Sequence, residues 1–412
     1  MSFLSWPWYS VFIFGVIFLL CTLFFAVIIV HILFPFWAKQ PVLHTYDFWR
    51  RIYLARPLVL QTDAAALTRS QQRQIWFRPN EVQTWTVPEV PEPVLDTVLE
   101  ALQGMGSTES MLWAMPKRIW IGRMAGGSAS SMLSLYTDKG GLTGGKASAI
   151  KGVLLSRPVS MRLYSIDTPV YYFDTLATRV STEAQTVSCS LFQTHEFRQR
   201  RRKAGLFRGE DPIPVSIFKK EGAPVAGLVP VLQNRVVHVP APRLPRLQLP
   251  PPYRVRRLAD ANDITFLYGL FDTVLRPAYD LFLVPERASF QTRLGLGELV
   301  LYTLLNKDAW VGFYVFRRTW LLDAETGYDA MELVSTWHTH STPVGIFKLA
   351  FLAAFQDLSE TVSMNRLIIP YRGLNAGVMG EGTPVIEEGV ESWYLYNMIS
   401  PGITTDRAFV LV

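Results

Sequence analysis

Cysteine is nearly absent from this chain. Cys21 and Cys189 are the only two in 412 residues, which excludes a disulfide framework and favours a reducing compartment. Histidine is almost as scarce, at six positions. His338 and His340 stand close together in "HTH", but without cysteines or a nearby carboxylate pair no metal site is expected. A strong excess of one charge is missing too. With 40 basic against 34 acidic residues the net charge is +6, too mild for the wide basic face of a nucleic-acid-coated protein. No G-x-S-x-G elbow is present, so a serine hydrolase of that kind is excluded. "GGLTGGKA" (140–147) has the G-x-x-x-x-G-K spacing of a P-loop. It fails because Ala147 stands where a hydroxyl would hold Mg²⁺, and because the following "SAIKGVLL" reads as a strand where a helix is required.

What the N-terminus lacks in charge it has in apolar length. No Asp, Glu, Lys or Arg precedes Lys39, and residues 10–34 form a predominantly apolar run, longer than the roughly 20 residues a bilayer core requires. Trp6, Trp8 and Tyr9 precede the run while Phe36 and Trp37 follow it, as interfacial aromatic belts do. A cleaved signal peptide would need a basic leader and a shorter apolar stretch. Residues 1–37 are therefore expected to form a single-pass transmembrane anchor. Lys39, Arg50, Arg51 and Arg56 follow it, so the positive-inside rule puts the body in the cytosol, at either a cellular or a viral membrane.

Along the body, "PEPVLDTVLEALQG" (91–104) has helical spacing and a terminal glycine. "KRIWIGRM" (117–124), "SAIKGVLLSRPVSMRLYSI" (148–166), "TVSCSLF" (186–192) and "VSIF" read as strands. Prolines 240, 242, 245, 250, 251 and 252 mark a stiff connector over 239–252. It divides a half spanning 38–238 from one spanning 253–412. The second half opens with an alternating strand from Tyr253 into a capped helix. "AWVGFYVFRR" and "AMELVSTW" are strands, and a helix over 342–358 has Thr342 as N-cap and Pro343 at the first position. Strands "RLIIP", "SWYLYN" and "RAFVLV" close the chain. The class is α+β, or mixed α/β.

"HEFRQRRRKAGLF" (195–207) packs five positive charges into the six positions from Arg198 to Lys203. Three readings stand on the local signal: a solvated face, a nucleic-acid contact, or a phosphate cradle between a strand end and a helix N-terminus. Cys189, within the apolar run before it, reads as an inert core thiol.

Four blocks resemble the N-myristoyltransferase family, in family order. "FPFWAKQPV" (34–42) resembles F-W-x-T-Q-P-V, and "HEFRQRRRKAGLF" looks like K-K-L-R-S-K-R-[LV]-A-P-V-L-I, which follows a strand N-F-L-C-V-H. "LVSTWHTHSTPVGIFKLAFLAAF" (333–355) is similar to Y-N-V-x-T-x-T-P-L-x-x-L, and residues 386–412 resemble G-D-G-x-L-x-Y-Y-L-Y-N-W-x-x-P with its closing strand. The resemblance implies two tandem acetyltransferase-like (GNAT-type) halves. It implies transfer of a fatty acyl group from acyl-CoA, as myristoyl-CoA, to the N-terminal glycine amine of a protein, without a metal. Nucleic acid is then an unlikely partner.

In that family the general base is the terminal carboxylate, which implies Val412. Ungapped matching to N-F-L-C implies oxyanion donors at the amides of Ser190 and Leu191, or one residue on at Leu191 and Phe192. Cofactor contacts are implied for Phe36, Trp37, Leu191, Phe192, Gln193, Arg198, Gln199, Arg200, Arg201, Arg202 and Lys203. The chain departs from the family at Cys189, at Thr336-Trp337, and at "FKKEG" (218–222), where a lysine replaces a hydroxyl. A catalytically inactive, lipid-binding or structural relative is the alternative.

Overall fold

The computed structural model describes residues 8–61, 72–108, 110–125, 131–137, 147–201, 213–241, 247–258, 261–380 and 382–412. The near-P-loop lies outside these residues except for Ala147, and so do Arg202 and Lys203. Eight helices are used below. They are α1 (Trp8–Leu33), α2 (Phe48–Tyr53), α3 (Glu92–Gly106), α4 (Lys117–Met124), α5 (Ala184–Arg201), α6 (Ala261–Leu270), α7 (Arg287–Gly295) and α8 (Val344–Thr361).

Helix α1 is apolar on every side, with no amphipathic stripe to seat it on the body. Its 26 residues extend about 39 Å, against a hydrocarbon core of about 30 Å. It is long and apolar enough to cross a membrane, and none of its apolar window is buried by the rest of the chain.

In chain order the strands are β1 (Leu58–Val59), β2 (Val82–Thr86), β3 (Met111–Trp113), β4 (Met132–Thr137), β5 (Ile150–Leu163), β6 (Ile166–Thr178), β7 (Ser216–Glu221) and β8 (Leu232–Pro240). The rest are β9 (Tyr253–Arg257), β10 (Leu281–Val284), β11 (Leu299–Asn306), β12 (Ala309–Asp323), β13 (Asp329–His338), β14 (Met364–Pro370), β15 (Glu387–Tyr396), β16 (Met398–Ile399) and β17 (Ala408–Val410).

One mixed sheet carries most of them, in the order β17-β10-β5-β6-β7-β15-β8-β14-β13-β12-β11-β9, with β4 and β2 added beside β5 and β3 beside β12. Three neighbouring pairs are parallel: β6/β7, β13/β14 and β10/β17. In each half a helix joins one parallel pair, as β6–α5–β7 and β13–α8–β14, because a parallel pair needs a crossover. The mixed α/β class is as expected. The sheet, however, does not break at 239–252. Strand β8 runs on to Pro240, and β15 from the second half lies between β7 and β8 of the first.

Helix α8 forms for the reason its sequence suggests. Phe347, Ala350, Phe351, Ala354, Phe355 and Leu358 recur at helical spacing and are buried against the second half of the sheet. Its start differs by one residue. Pro343 is the N-cap, while the Thr342 hydroxyl donates to the Val311 carbonyl at 3.2 Å.

Two expected strands are helices. "KRIWIGRM" is α4, entered after Pro116 and packed through Ile119, Trp120 and Met124. A short apolar run does not distinguish a strand from a buried helix. "TVSCSLF" and the residues after it are α5, eighteen residues long. Val187, Leu191, Phe192, His195, Glu196, Phe197 and Arg200, spread round the helix, are all buried. A helix covered on every side has no polar stripe to reveal its period.

Candidate active site

The site begins where β6 and β7 part. Their parallel register runs Tyr171↔Ser216, Tyr172↔Ile217 and Phe173↔Phe218, then stops. Beyond that point β6 continues to Thr178 beside β5, and β7 continues to Glu221 beside β15. At the parting the β5/β6 register steps from Ser156↔Phe173 to Leu155↔Thr175, leaving Asp174 as an extra, bulged residue. A bulge leaves main-chain groups outside the ladder and re-aims side chains, which suits the rim of a site.

One face of this wedge is aromatic. Trp37 stacks on Phe218 with centroids 5.6 Å apart and meets Phe192 edge-on at 5.3 Å. Phe36 approaches Phe192 at 5.9 Å, and Leu191 lies in the same buried cluster with Phe173, Tyr394 and Tyr396. Gln193 accepts from Gln40 at 2.9 Å. The expected residues Phe36, Trp37, Leu191, Phe192 and Gln193 are thus brought together.

The opposite face is ionic and opens into a cleft of about 560 Å³, whose lining includes Tyr172, Asp174, Lys219, Arg317, Glu332 and Glu391. Arg157 and Arg123 hold Asp174 at 3.2 and 3.3 Å. Burial alone would raise the Asp174 pKa, and the two guanidiniums reverse that and hold it well below the usual carboxylate range. Glu332 behaves likewise. Burial opposes its charge, but Arg317, Lys219 and Arg372 bring it down to about 2. Glu298, between Arg123 and Arg293, is also held at about 2 despite its burial. Lys219 lies 2.7 Å from Glu221 and 3.6 Å from Glu391, which keep it charged in spite of desolvation. The lysine that replaces a hydroxyl is therefore paired and cationic.

The main-chain oxygen of Val412 accepts from Arg317 Nη1 at 2.9 Å. Val412 is buried and shares a core cluster with Val170 and Tyr172 of β6, which sets it beside the parting strands.

Several other expected roles do not fit the positions their residues occupy. Ser190 and Leu191 lie in the interior of α5, where each amide is bonded to the carbonyl one turn back. They cannot serve as free oxyanion donors. Arg198 to Arg201 lie in the C-terminal part of that helix, where carbonyls point outward and the dipole favours cations over phosphate. Arg198 is exposed. Arg200 is buried, bonded to Glu196 and the Pro214 carbonyl, and lies over the Tyr396 ring at 5.2 Å. Gln199 bridges Ser156 and Ser216, each at 3.1 Å. Of Arg201 only the helical backbone is described. The opposite end of α5 has the anion-favouring amides, and the sequence reading missed it. The turn over 179–183 precedes it, pinned by Arg179 to the carbonyls of Ile150 and Ala147 at 2.8 Å each. Its signal is the β6–α5 switch itself, legible only once "TVSCSLF" is assigned to a helix.

Cys189 is buried, and desolvation raises its thiol to about 12, so it is inert. Among the described residues no group of three or more His, Cys, Asp or Glu is placed to hold a metal. A larger cleft of about 970 Å³ along α8 shares no lining residue with the ionic one and is mainly apolar. It lies away from the parting strands.

A mixed sheet whose parallel strands diverge at a bulge, with a helix starting at the opening, defines an α/β fold with a wedge-shaped gap between two strands. Comparison with solved structures makes the fold specific: it is that of N-myristoyltransferase. The chain superposes on the Saccharomyces cerevisiae enzyme with bound myristoyl-CoA at a TM-score of 0.70, covering 92% of this chain and 99% of that one at 12% identity. A second structure of the yeast enzyme with myristoyl-CoA gives a TM-score of 0.66, with 92% and 94% covered at 12% identity. One with myristoyl-CoA and inhibitors gives 0.64, with 91% and 95% covered at 14% identity. No protein-family model matches the chain, and no curated protein matches it in sequence.

Proposed function

We propose that the protein is an acyl-CoA-dependent N-acyltransferase of the N-myristoyltransferase type, tethered to a membrane by α1 with its body on the cytosolic side. The observation that carries this is the parting of β6 and β7 at Phe173↔Phe218. The wedge it opens has aromatic rings on one face and the Val412 oxygen, gripped by Arg317, beside the other. The myristoyl-CoA held by the yeast enzymes of the same fold supports an acyl-CoA co-substrate.

The chemistry follows from the groups present. The incoming substrate is the α-amine of a protein beginning with glycine, whose pKa is about 8. It must lose a proton before attacking the thioester carbonyl. The base is the Val412 carboxylate, bonded to Arg317, whereas Asp174, Glu332 and Glu391 are each held by two cationic side chains. Attack forms the C–N bond and a tetrahedral oxyanion, whose collapse breaks the C–S bond. As the intermediate collapses the nitrogen gives up its second proton, so that one of the two released protons neutralises the departing thiolate and the other passes to solvent. The oxyanion donors are main-chain amides at the Asp174 bulge, in place of Ser190 and Leu191, each such donor being worth about 2.7–4 kcal/mol. The CoA diphosphate lies at the turn over 179–183, on the N-terminal amides of α5. Phe36 and Trp37 border the cofactor from the anchor side.

One observation favours the non-catalytic alternative, a relative that binds the acyl-lipid without transferring it. A carboxylate held by Arg317 is a weaker base than a free one. The deciding experiment incubates the full chain in detergent with labelled myristoyl-CoA and a glycine-initiated peptide, and repeats it with residues appended after Val412. Transfer by the native chain that the extension abolishes supports the proposal. Tight acyl-CoA binding with no transfer leaves the lipid-binding relative. Transfer indifferent to the extension removes Val412 as base.

A further inference from the structure

Helix α2 (Phe48–Tyr53, "FWRRIY") presents its large side chains to solvent. Phe48, Trp49, Ile52 and Tyr53 are each more than half exposed. Trp49 and Tyr53 stack on one another at 6.1 Å, and Phe48 meets Trp49 edge-on at 5.6 Å, so the rings form a continuous patch. Arg50 and Arg51 are exposed on the same short helix, Arg50 reaching Asp47 only at 4.0 Å. An aqueous surface gains nothing from such a cluster. The headgroup layer of a bilayer does accommodate it, since Trp and Tyr there bury an apolar body and keep a polar edge wet, while Arg meets anionic headgroups.

Position argues the same way. The ring of His31, in the last turn of α1, lies 6.2 Å from that of Tyr46, two residues before α2 begins. Tyr46 in turn stacks on His44 at 4.7 Å. The patch is thus held at the foot of the apolar helix, at the level where a spanning α1 would leave the hydrocarbon.

We infer that α2 is a membrane-surface platform: its rings insert into the headgroup layer of an anionic bilayer and fix the body against the surface from which α1 emerges. This rests on the anchor reading of α1 proposed above. The consequence for the site is direct. Phe36 and Trp37 lie three and four residues beyond the end of α1 and form one wall of the wedge, so a platform at α2 holds that wall at the lipid boundary.

The test uses the full chain in vesicles of phosphatidylcholine and phosphatidylserine. A fluorescent probe is attached at Tyr53→Cys in a Cys21→Ser background, Cys189 being buried. Asp308→Cys, exposed in the turn between β11 and β12, serves as the aqueous control, and Phe18→Cys as the reporter for α1. A headgroup-attached quencher should extinguish most of the Tyr53 emission while leaving the Asp308 probe bright, and dissolved iodide should do the reverse. Adding Trp49→Glu should return the Tyr53 probe to iodide. If the Tyr53 probe behaves like the Asp308 probe, the platform is overturned. If it is shielded from both quenchers, a protein surface covers α2 and the platform is equally overturned. The Phe18 probe, read with a quencher deep in the acyl chains, reports separately whether α1 spans. Failure of the anchor is therefore distinguishable from failure of the platform.

Discussion

Arg317 joins Val412 to Glu332: Nη1 donates to the Val412 oxygen at 2.9 Å while Nε reaches Glu332 at 3.1 Å. One guanidinium therefore governs both the final residue and the charge of the cleft. Arg317→Met leaves Glu332 buried with less compensation, and breaking such a pair costs about 3–5 kcal/mol. The double variant with Glu332→Leu should be less destabilised than Arg317→Met alone. Denaturant unfolding of both in detergent measures the difference, and a larger loss in the double variant would contradict the pairing.

Arg198→Glu tests which end of α5 meets the cofactor. With the diphosphate at the N-terminal turn, reversing this exposed charge at the other end should change acyl-CoA affinity by less than about twofold, given screening over about 8 Å. Equilibrium titration with a labelled acyl-CoA checks it. A tenfold loss would restore the basic cluster as the phosphate site.

At Gly152 two side chains of α5 press directly on the sheet. A Cβ there would stand 2.7 Å from Leu191 Cδ1 and 2.8 Å from Val187 Cγ1. Gly152→Ala should cost about 1–3 kcal/mol through overpacking. Because Leu191 belongs to the aromatic wall, it should also weaken acyl-CoA binding. Thermal melting and titration together separate the two effects.

His195 is fully buried between Ser134 and Ser156, at 2.8 and 2.7 Å. Desolvation lowers its pKa from 6.5 to about 3. Between those values the unfolded chain binds the additional proton, so stability falls as the pH falls, by up to about 1.4 kcal/mol per unit. The carboxylates held low begin to add their own loss as the pH approaches about 5. The interval from about pH 6.5 to 5.5 therefore reports chiefly the imidazole. His195→Gln should flatten the stability profile there, and an unchanged slope in the melting series would refute the assignment.

Most of the second half could be read from its residues. Strands such as "AWVGFYVFRR" and "RLIIP" are bounded by turns, and α8 shows a full apolar stripe. The first half was harder because α4 and α5 are short on polar faces. The error at α5 then spread to the site. Once "TVSCSLF" is taken as a strand, Ser190 and Leu191 acquire free amides and the arginines a place ahead of a helix, whereas Ser190, Leu191 and Arg198 to Arg201 all lie within α5. The aromatic wall survived that error, because Phe36, Trp37 and Phe192 meet through side chains whatever the backbone of their segment. The ionic cleft had no sequence signal beyond the "FKKEG" stretch. Its charges come from β6, β7, β12, β13 and β15, elements far apart in the chain that meet only through the strand order.

That order carries a consequence for biosynthesis. Strand β15 lies between β7 and β8, so both wait on the ribosome with open edges until that much later strand has emerged. A nascent chain stopped at the proline-rich segment holds half a sheet with a gap in it, a substrate for chaperones or for aggregation. The two halves are accordingly interlocked products of a single late closure, and a cut at 239–252 should yield fragments that regain the fold only when mixed.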